Sequence, residues 1–340
     1  MPLDSDIITL ARSIRLEDEV GRRGIRLRGK VEREGPCPVC SGNDRFSDRF
    51  SINTRKQLFN CRGFGGGDVI AMVQHLDGCD FPTAVRTLAG IEPGRPAPKP
   101  DPAKIAAAQA KAAQAEIEDQ LDEQERFFRA MTIWHDAVPR IEDTPVEVYL
   151  RAYRKLDIPD DVSGHVLRYH PACPFGITTH PCMVALVRNV ETNDHQAIHR
   201  TALNPDGTPL KIEGKTGRLA LGSTKNGAVK LTDDADVTTG LFIGEGIETT
   251  LAGMLLPQRY RPAWALLCAG NIGSFPVLVG IECLTILVDH DRPDKRGRRA
   301  GEAAARKCAE RWAAACSEVI GKIPTLEGWD IADVASHRRA

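Results

Sequence analysis

TILVDHDRPDKRGRRAG, residues 285–301, sets Asp289 and Asp291 directly behind an apolar run of β type and follows them with Arg292, Lys295, Arg296, Arg298 and Arg299. Working outward, residues 236–335 alternate between two periodicities. LFI (241–243), AWALLC (263–268), LTILV (284–288) and EVIGKI (318–323) read as strands, while IETTLAGMLL (247–256) and GEAAARKCAERWAAAC (301–316) read as helices. That alternation predicts a parallel, doubly wound, Rossmann-like sheet. Ligands of such sheets bind outside the carboxyl ends of the strands. The first strand runs into Gly244-Glu245-Gly246, so Glu245 joins Asp289 and Asp291 on one edge. Converging carboxylates repel or take up protons unless a cation holds them, and an all-oxygen set suits Mg²⁺ or Mn²⁺. The basic run behind Asp291 is placed to hold phosphates beside the metal.

The chain has 340 residues, 42% of them hydrophobic, enough for two or three domains. Net charge is only −1, but residues 20–62 carry eleven Lys/Arg against four Asp/Glu, a local +7. Residues 200–230 carry six against two, a local +4. Patches of this kind attract polyanions, although most charge runs are simply solvated faces. No apolar stretch is long enough for a transmembrane helix, and the acidic N-terminus MPLDSDIITLARS is unlike a signal peptide. Ten cysteines in an unexported chain point to reduced thiols and metal binding, hence a cytoplasmic protein without a membrane partner.

Composition divides the chain into four parts. Residues 1–92 hold a short helix (Ile7, Leu10, Ala11, Ile14), a Gly-rich cysteine segment and two further helices. Residues 93–139 are a linker, GRPAPKPDP, followed by a helical spacer over 103–135. Residues 140–235 read as short strands with turns such as Asn204-Pro205-Asp206-Gly207, and 236–335 are the alternating segment.

Glu245 in its Gly-Glu-Gly turn, the later Asp289-x-Asp291 and the closing Trp329-Asp330-Ile331-Ala332-Asp333 together resemble the Toprim domain of DNA primases, topoisomerases and some nucleases. The resemblance covers about 236–335 and implies Mg²⁺-dependent phosphoryl chemistry on Glu245, Asp289 and Asp291. Glu248 and the pair Asp330 and Asp333 are further acidic candidates.

GPCPVCSGNDRF and QLFNCRGFGGGDVIAMVQHL resemble the zinc ribbon of bacterial and phage primases, which implies Zn²⁺ on Cys37, Cys40 and Cys61. The sequence departs at position 64, where the ribbon needs a fourth ligand and the chain has Phe64. Asp68, His75 or Cys79 are the alternatives, and weakened or lost zinc is the other outcome. The expectation is substoichiometric zinc that Phe64→Cys raises. A tandem DRFS (44–47, 48–51) sits in the same segment. Phe46, Phe50 and Phe59 among Arg45, Arg49, Arg55 and Lys56 form the aromatic and basic mixture that grips single strands, though core packing is the commoner fate of such rings.

TPVEVYLRAYRKLDIP and the segment HRTALNPDG to KNGAVKL resemble the part preceding Toprim in mobile-element primases. The resemblance implies that Arg200, Lys211, Lys215, Arg218, Lys225 and Lys230 face the metal and hold template and nucleotide phosphates. Gly214-Lys215-Thr216 is no phosphate loop, because the earlier glycine is replaced by Pro209 and no helix pattern follows. His170, Cys173, His180 and Cys182 make a minor second metal-site candidate.

The expected protein is therefore multidomain, α+β then α/β: zinc ribbon, spacer, and a primase core ending in Toprim. The resemblance implies RNA primer synthesis from NTPs on single-stranded DNA, with a separate replicative helicase as partner and a phage, plasmid or other mobile element as source. The four tyrosines lie in ordinary patterns, and the chain lacks room for a cleavage domain around any of them, which argues against a topoisomerase. Two other readings stand: a Toprim nuclease using the same acids, and a non-catalytic single-strand-binding accessory protein.

Overall fold

The computed structural model describes residues 5–41, 48–91, 102–212, 215–256, 260–293, 297, 299–315 and 317–337. They fall into two compact units, Met1–Asp122 and Glu123–Ala340. In the first, α1 (Ser5–Arg12) and α2 (Leu16–Arg22) precede a four-stranded antiparallel sheet. Its strands lie in chain order: β1 (Glu32–Gly35), β2 (Phe50–Asn53), β3 (Leu58–Cys61) and β4 (Gly65–Gly67). Two helices follow, α3 (Val69–Asp77) and α4 (Phe81–Leu88). Asp68 starts α3 by accepting hydrogen bonds from the Ile70 and Ala71 amides, and Gly78 ends it at φ 61°. Phe50, Ile52 and Phe59 pack with Met72, Val73 and Val85 in one core, which seats α3 on the sheet. The tandem segment 44–47 and Arg45, Phe46 within it lie outside the described residues, as does most of the proline-rich linker.

The long helix α5 (Pro102–Asp136) covers the predicted 103–135. Its last turns bury Ala130, Ile133 and Trp134 in the second unit. That unit opens with α6 (Pro145–Glu147) and a π-helical turn, Val148–Tyr153. Then come β5 (Leu167–Phe175), β6 (Thr178–Asn189) and β7 (His195–Ala202). These strands have 9, 12 and 8 residues, not the short pieces expected. The reason is visible in β6, where Cys182–Val187 is buried without interruption and contains no turn residue. A small ladder, β8 (Lys211–Ile212) with β9 (Lys215–Thr216), precedes β10 (Arg218–Gly222) and β11 (Gly227–Lys230).

The alternating segment forms β12 (Gly240–Gly244), α7 (Ile247–Leu255), β13 (Ala263–Ala265), α8 (Ala269–Ser274), β14 (Cys283–Leu287), α9 (Ala300–Ala314), β15 (Glu318–Lys322) and α10 (Ile331–His337). The four strands are parallel to one another in the order β13-β12-β14-β15. Leu241, Ile243, Leu284 and Ile286 are buried in one core, as helix-covered parallel strands require. β11 pairs antiparallel with both β6 and β13, so nine strands make one sheet across the expected border at 235/236. Among the described residues, no helix is long and apolar enough to cross a membrane.

Candidate functional site

Two clusters of side chains carry chemistry, one in each unit. In the second unit, β12 and β14 are neighbours in register, with Gly244 opposite Leu287. Each strand ends there, so Glu245 and Asp289 leave the sheet on the same edge. The turn between β12 and α7 is tight: a Cβ on Gly244 would lie 2.4 Å from Thr250 Oγ1, which only glycine avoids. A second chain segment closes the edge. The His290 amide donates to Trp329 O at 3.0 Å, and His290 O accepts from the Gly328 amide at 2.6 Å. His290 Nδ1 also lies 2.9 Å from Pro324 O, which ties the Asp289–Asp291 turn to the loop that carries Asp330. Asp330 and Asp333 cap each other's backbone at 2.8 and 3.0 Å, and Asp330 accepts from Thr249 Oγ1 on α7 at 3.1 Å.

The electrostatics show what this arrangement costs. Burial, then the charges of Asp330, Glu245, Asp291 and Asp333, push Asp289 up to about 7. Burial first and Asp291 second push Glu245 up as well. Asp289 Oδ1 is buried without a hydrogen-bond partner. A carboxylate oxygen so placed fits a hard cation, and oxygen-only donors on a rigid edge suit Mg²⁺ or Mn²⁺. Of the basic run, Arg299 donates to Asp291 O at 3.0 Å and pairs with Glu327 at 2.6 Å. It therefore braces the turn. Lys295, Arg296 and Arg298 lie outside the described residues.

Glu248, one turn after Glu245, does not join this edge. It is fully buried, accepting from Tyr149 Oη at 2.6 Å and Arg218 Nη2 at 2.7 Å. Burial alone would raise its carboxyl; Arg218 and Tyr149 more than offset that and hold it below the usual range.

The six basic residues of 200–230 separate by environment. Arg200 is buried, its guanidinium bonded to Pro174 O and lying 5.6 Å from the Phe175 ring centroid. Lys230 is buried too, 2.7 Å from Asp234 and 4.3 Å from the Trp264 centroid. Both sit where the fold uses the charge internally, because β7 and β11 are inner strands of the sheet. Arg218 is held by Glu248, whereas Lys211 and Lys225 are exposed. Lys215 lies on β9 and strand β10 follows, so no phosphate-loop helix exists there.

In the first unit, Cys37, Cys40, Cys61 and His75 bring their ligand atoms within 4.8 Å of one another. Among the described residues, no other group of three or more Cys, His, Asp or Glu side chains closes this tightly, and the acidic edge is more open. His75 Nε2 lies 3.2 Å from Cys37 Sγ and 3.9 Å from Cys40 Sγ. Burial pushes the Cys61 thiol up to about 11 and lowers the His75 imidazole. Three cysteine sulfurs, which would bind as thiolates on losing their protons, and one imidazole nitrogen are the donor types of a structural zinc site.

The fourth donor missing from position 64 is thus supplied by His75 on α3, which folds back over the knuckle, so of the three alternatives Asp68, His75 and Cys79 the fold brings His75 to the cysteines. The resulting Cys3His group is compatible with zinc. Asp68 is the α3 cap and pairs with Arg12, and Cys79 Sγ lies 4.0 Å from Val73 O. Phe64 stacks on His75 with ring centroids 4.4 Å apart. Phe50 and Phe59 are core, so they do not grip a strand. Arg55 and Lys56 are exposed on the β2–β3 turn, where Arg55 pairs with Asp122 at 2.9 Å. His170, Cys173, His180 and Cys182 do not form a metal-sized group: His180 Nε2 is 2.9 Å from Thr178 Oγ1, and both cysteines are buried.

A family described only as a domain of unknown function (DUF7146) matches residues 124–231. No curated protein matches the chain. Its structural neighbours are bacterial and phage DNA primase domains, all distant. The zinc-binding and RNA polymerase domains of Aquifex aeolicus primase are 14% identical at a TM-score of 0.41, covering 98% of this chain and 83% of that one. The primase fragment of the bacteriophage T7 primase-helicase protein is 12% identical at 0.37, covering 90% and 96%. A DNA primase domain from Pseudomonas aeruginosa is 11% identical at 0.40, covering 62% and 74%.

Proposed function

We propose that this chain is a primase-like nucleotidyltransferase that joins NTPs into short RNA on a single-stranded DNA template. The observation that carries the reading is the acidic edge. Glu245, Asp289 and Asp291 leave the carboxyl ends of adjacent parallel strands, with Asp330 and Asp333 close enough to raise Asp289 to about 7. The Toprim-like motifs fall on this edge, and the ribbon-like cysteines gather with His75 into a zinc-type set.

On this reading Glu245, Asp289 and Asp291 hold Mg²⁺ or Mn²⁺, with Asp330 and Asp333 in support, while Cys37, Cys40, Cys61 and His75 hold Zn²⁺. The chemistry a divalent cation supplies at the edge is charge neutralisation of the attacking 3′ hydroxyl and the departing pyrophosphate. The chain's own part is positioning. Arg299 and His290 fix the turn that carries Asp289 and Asp291, and exposed Lys211 and Lys225 meet phosphates of the template. Arg45, Arg55 and Lys56 are the corresponding candidates near the ribbon. A separate replicative helicase would supply unwound template.

The test incubates the full chain with labelled NTPs, Mg²⁺ or Mn²⁺ and mixed-sequence single strands. Short RNA is the expected product. Shortened template without RNA would replace this reading with a nuclease, and binding without either product would leave an accessory protein.

A further inference from the structure

We propose that Phe64 is a stacking platform for one nucleobase of single-stranded DNA, an inference that rests on the reading above that the chain engages such strands. Phe64 is 56% exposed, an unusual position for a phenyl ring beside a core that buries Phe50 and Phe59 almost completely. It is nevertheless held in place. Its amide donates to Cys61 O at 2.9 Å, closing the knuckle turn, and one face of the ring lies against His75 at 4.4 Å and 25°. His75 is itself buried, and zinc held by the Cys3His group would fix it further, so little rotamer entropy of the ring would remain to be lost on binding.

The surroundings favour a nucleic acid over an apolar partner. Two arginines stand at the knuckle turn itself: a Cβ on Gly63 would lie 3.6 Å from Arg49 Nη1, which donates to Cys40 O, and Arg62, two residues before Phe64, pairs with Asp48 at 2.7 Å at the surface. The strand that follows presents exposed Gly65 and Gly66, which carry no side chain to overhang it. A Cβ on Gly66 would lie 2.7 Å from Phe59 O, so that bareness is enforced by the packing. The stretch 20–62, which carries Cys37, Cys40 and Cys61, has eleven Lys/Arg against four Asp/Glu, a net +7 in sequence; of these, Arg22 and Arg23 pair with Glu19 and Asp77, and Arg55 with Asp122. An aromatic face among positive charge is the arrangement that holds unpaired bases while the backbone tracks the cations. Duplex DNA, whose bases are already stacked, gains nothing from it.

The test measures binding of the full-length, zinc-loaded protein to a fluorescein-labelled mixed-sequence single strand and to its duplex, alongside zinc content. Phe64→Ala is expected to weaken single-strand binding roughly 5- to 150-fold, the span of one base–aromatic stack. Duplex binding and the salt dependence of single-strand binding stay as in wild type, because no phosphate contact is lost. Phe64→Trp retains binding. Phe64→Leu keeps the apolar cover on His75 but loses affinity, which separates stacking from any loss of zinc in the alanine variant. Wild-type affinity in a zinc-loaded Phe64→Leu or Phe64→Ala protein overturns the platform and leaves the wider reading intact. A wild-type chain that binds no single strand overturns both.

Discussion

Replacing Asp289 by asparagine removes a charge the fold holds at a cost. In an unfolded chain an aspartate titrates near ~3.9. In the folded protein, burial and four neighbouring carboxylates move Asp289 to about 7. A folded pKa above the unfolded one means that the folded state binds the proton more tightly. The associated stability is fully present below ~3.9 and is lost as pH rises through about 7. Three pKa units correspond to at most ~4 kcal/mol, and partial hydration of the side chain brings the expected loss to about 2 kcal/mol. Asparagine keeps the shape and cannot ionise. Urea unfolding of metal-depleted but zinc-loaded protein, followed by tryptophan fluorescence, measures both variants at pH 5 and pH 8. Wild type should lose about 1 kcal/mol more than Asp289→Asn between those values, because at pH 5 part of the effect is already gone. Mg²⁺ added at pH 8 should restore the wild type and leave the variant unmoved. Equal pH dependence in the two proteins would refute the picture of a carboxylate destabilised by its neighbours.

At the zinc-type cluster, wild type should carry one zinc per chain by elemental analysis, His75→Ala should lose it, and Phe64→Cys should gain nothing. Asp291→Asn should abolish RNA synthesis while single-strand affinity stays within about twofold, since the residue faces the cation edge and not the template. Lys211→Ala with Lys225→Ala should lower the salt slope of DNA binding by roughly 2, whereas Arg200→Ala should leave that slope unchanged and lower Tm, because its guanidinium serves internal carbonyls.

Legibility in the sequence followed the range of the interactions involved. The strand–helix alternation of 236–335 was readable because each element carries its own periodicity, and β12, β14, α7 and α9 lie within a residue or two of the expected limits. Helix α8, Ala269–Ser274, was not, since AGNIGS has neither apolar period nor capping box. The edge position of Glu245 and Asp289 followed from strand direction alone. The separate lives of Arg200, Lys230 and Lys225 did not, because a basic residue reads the same on an inner strand as on a loop. His75 was one of three open choices for the fourth ligand. Selecting it needed the packing of α3 on the sheet, a contact between residues 35 and 38 positions apart in the chain.

The pairing of β11 with both β6 and β13 bears on how this polypeptide can be cut. Severing the chain near 235 would leave the fragment before it with β11 unsupported on one side. The fragment after it would carry β13 as a bare edge of its sheet, its amides and carbonyls open to any other strand. Expressed alone, either piece is prone to self-association, while mixing them offers a route to complementation in trans through that one ladder. In the intact protein the same ladder should make the last hundred residues and the hundred before them melt together, with amide protons of Val229 and Ala265 exchanging only on global opening.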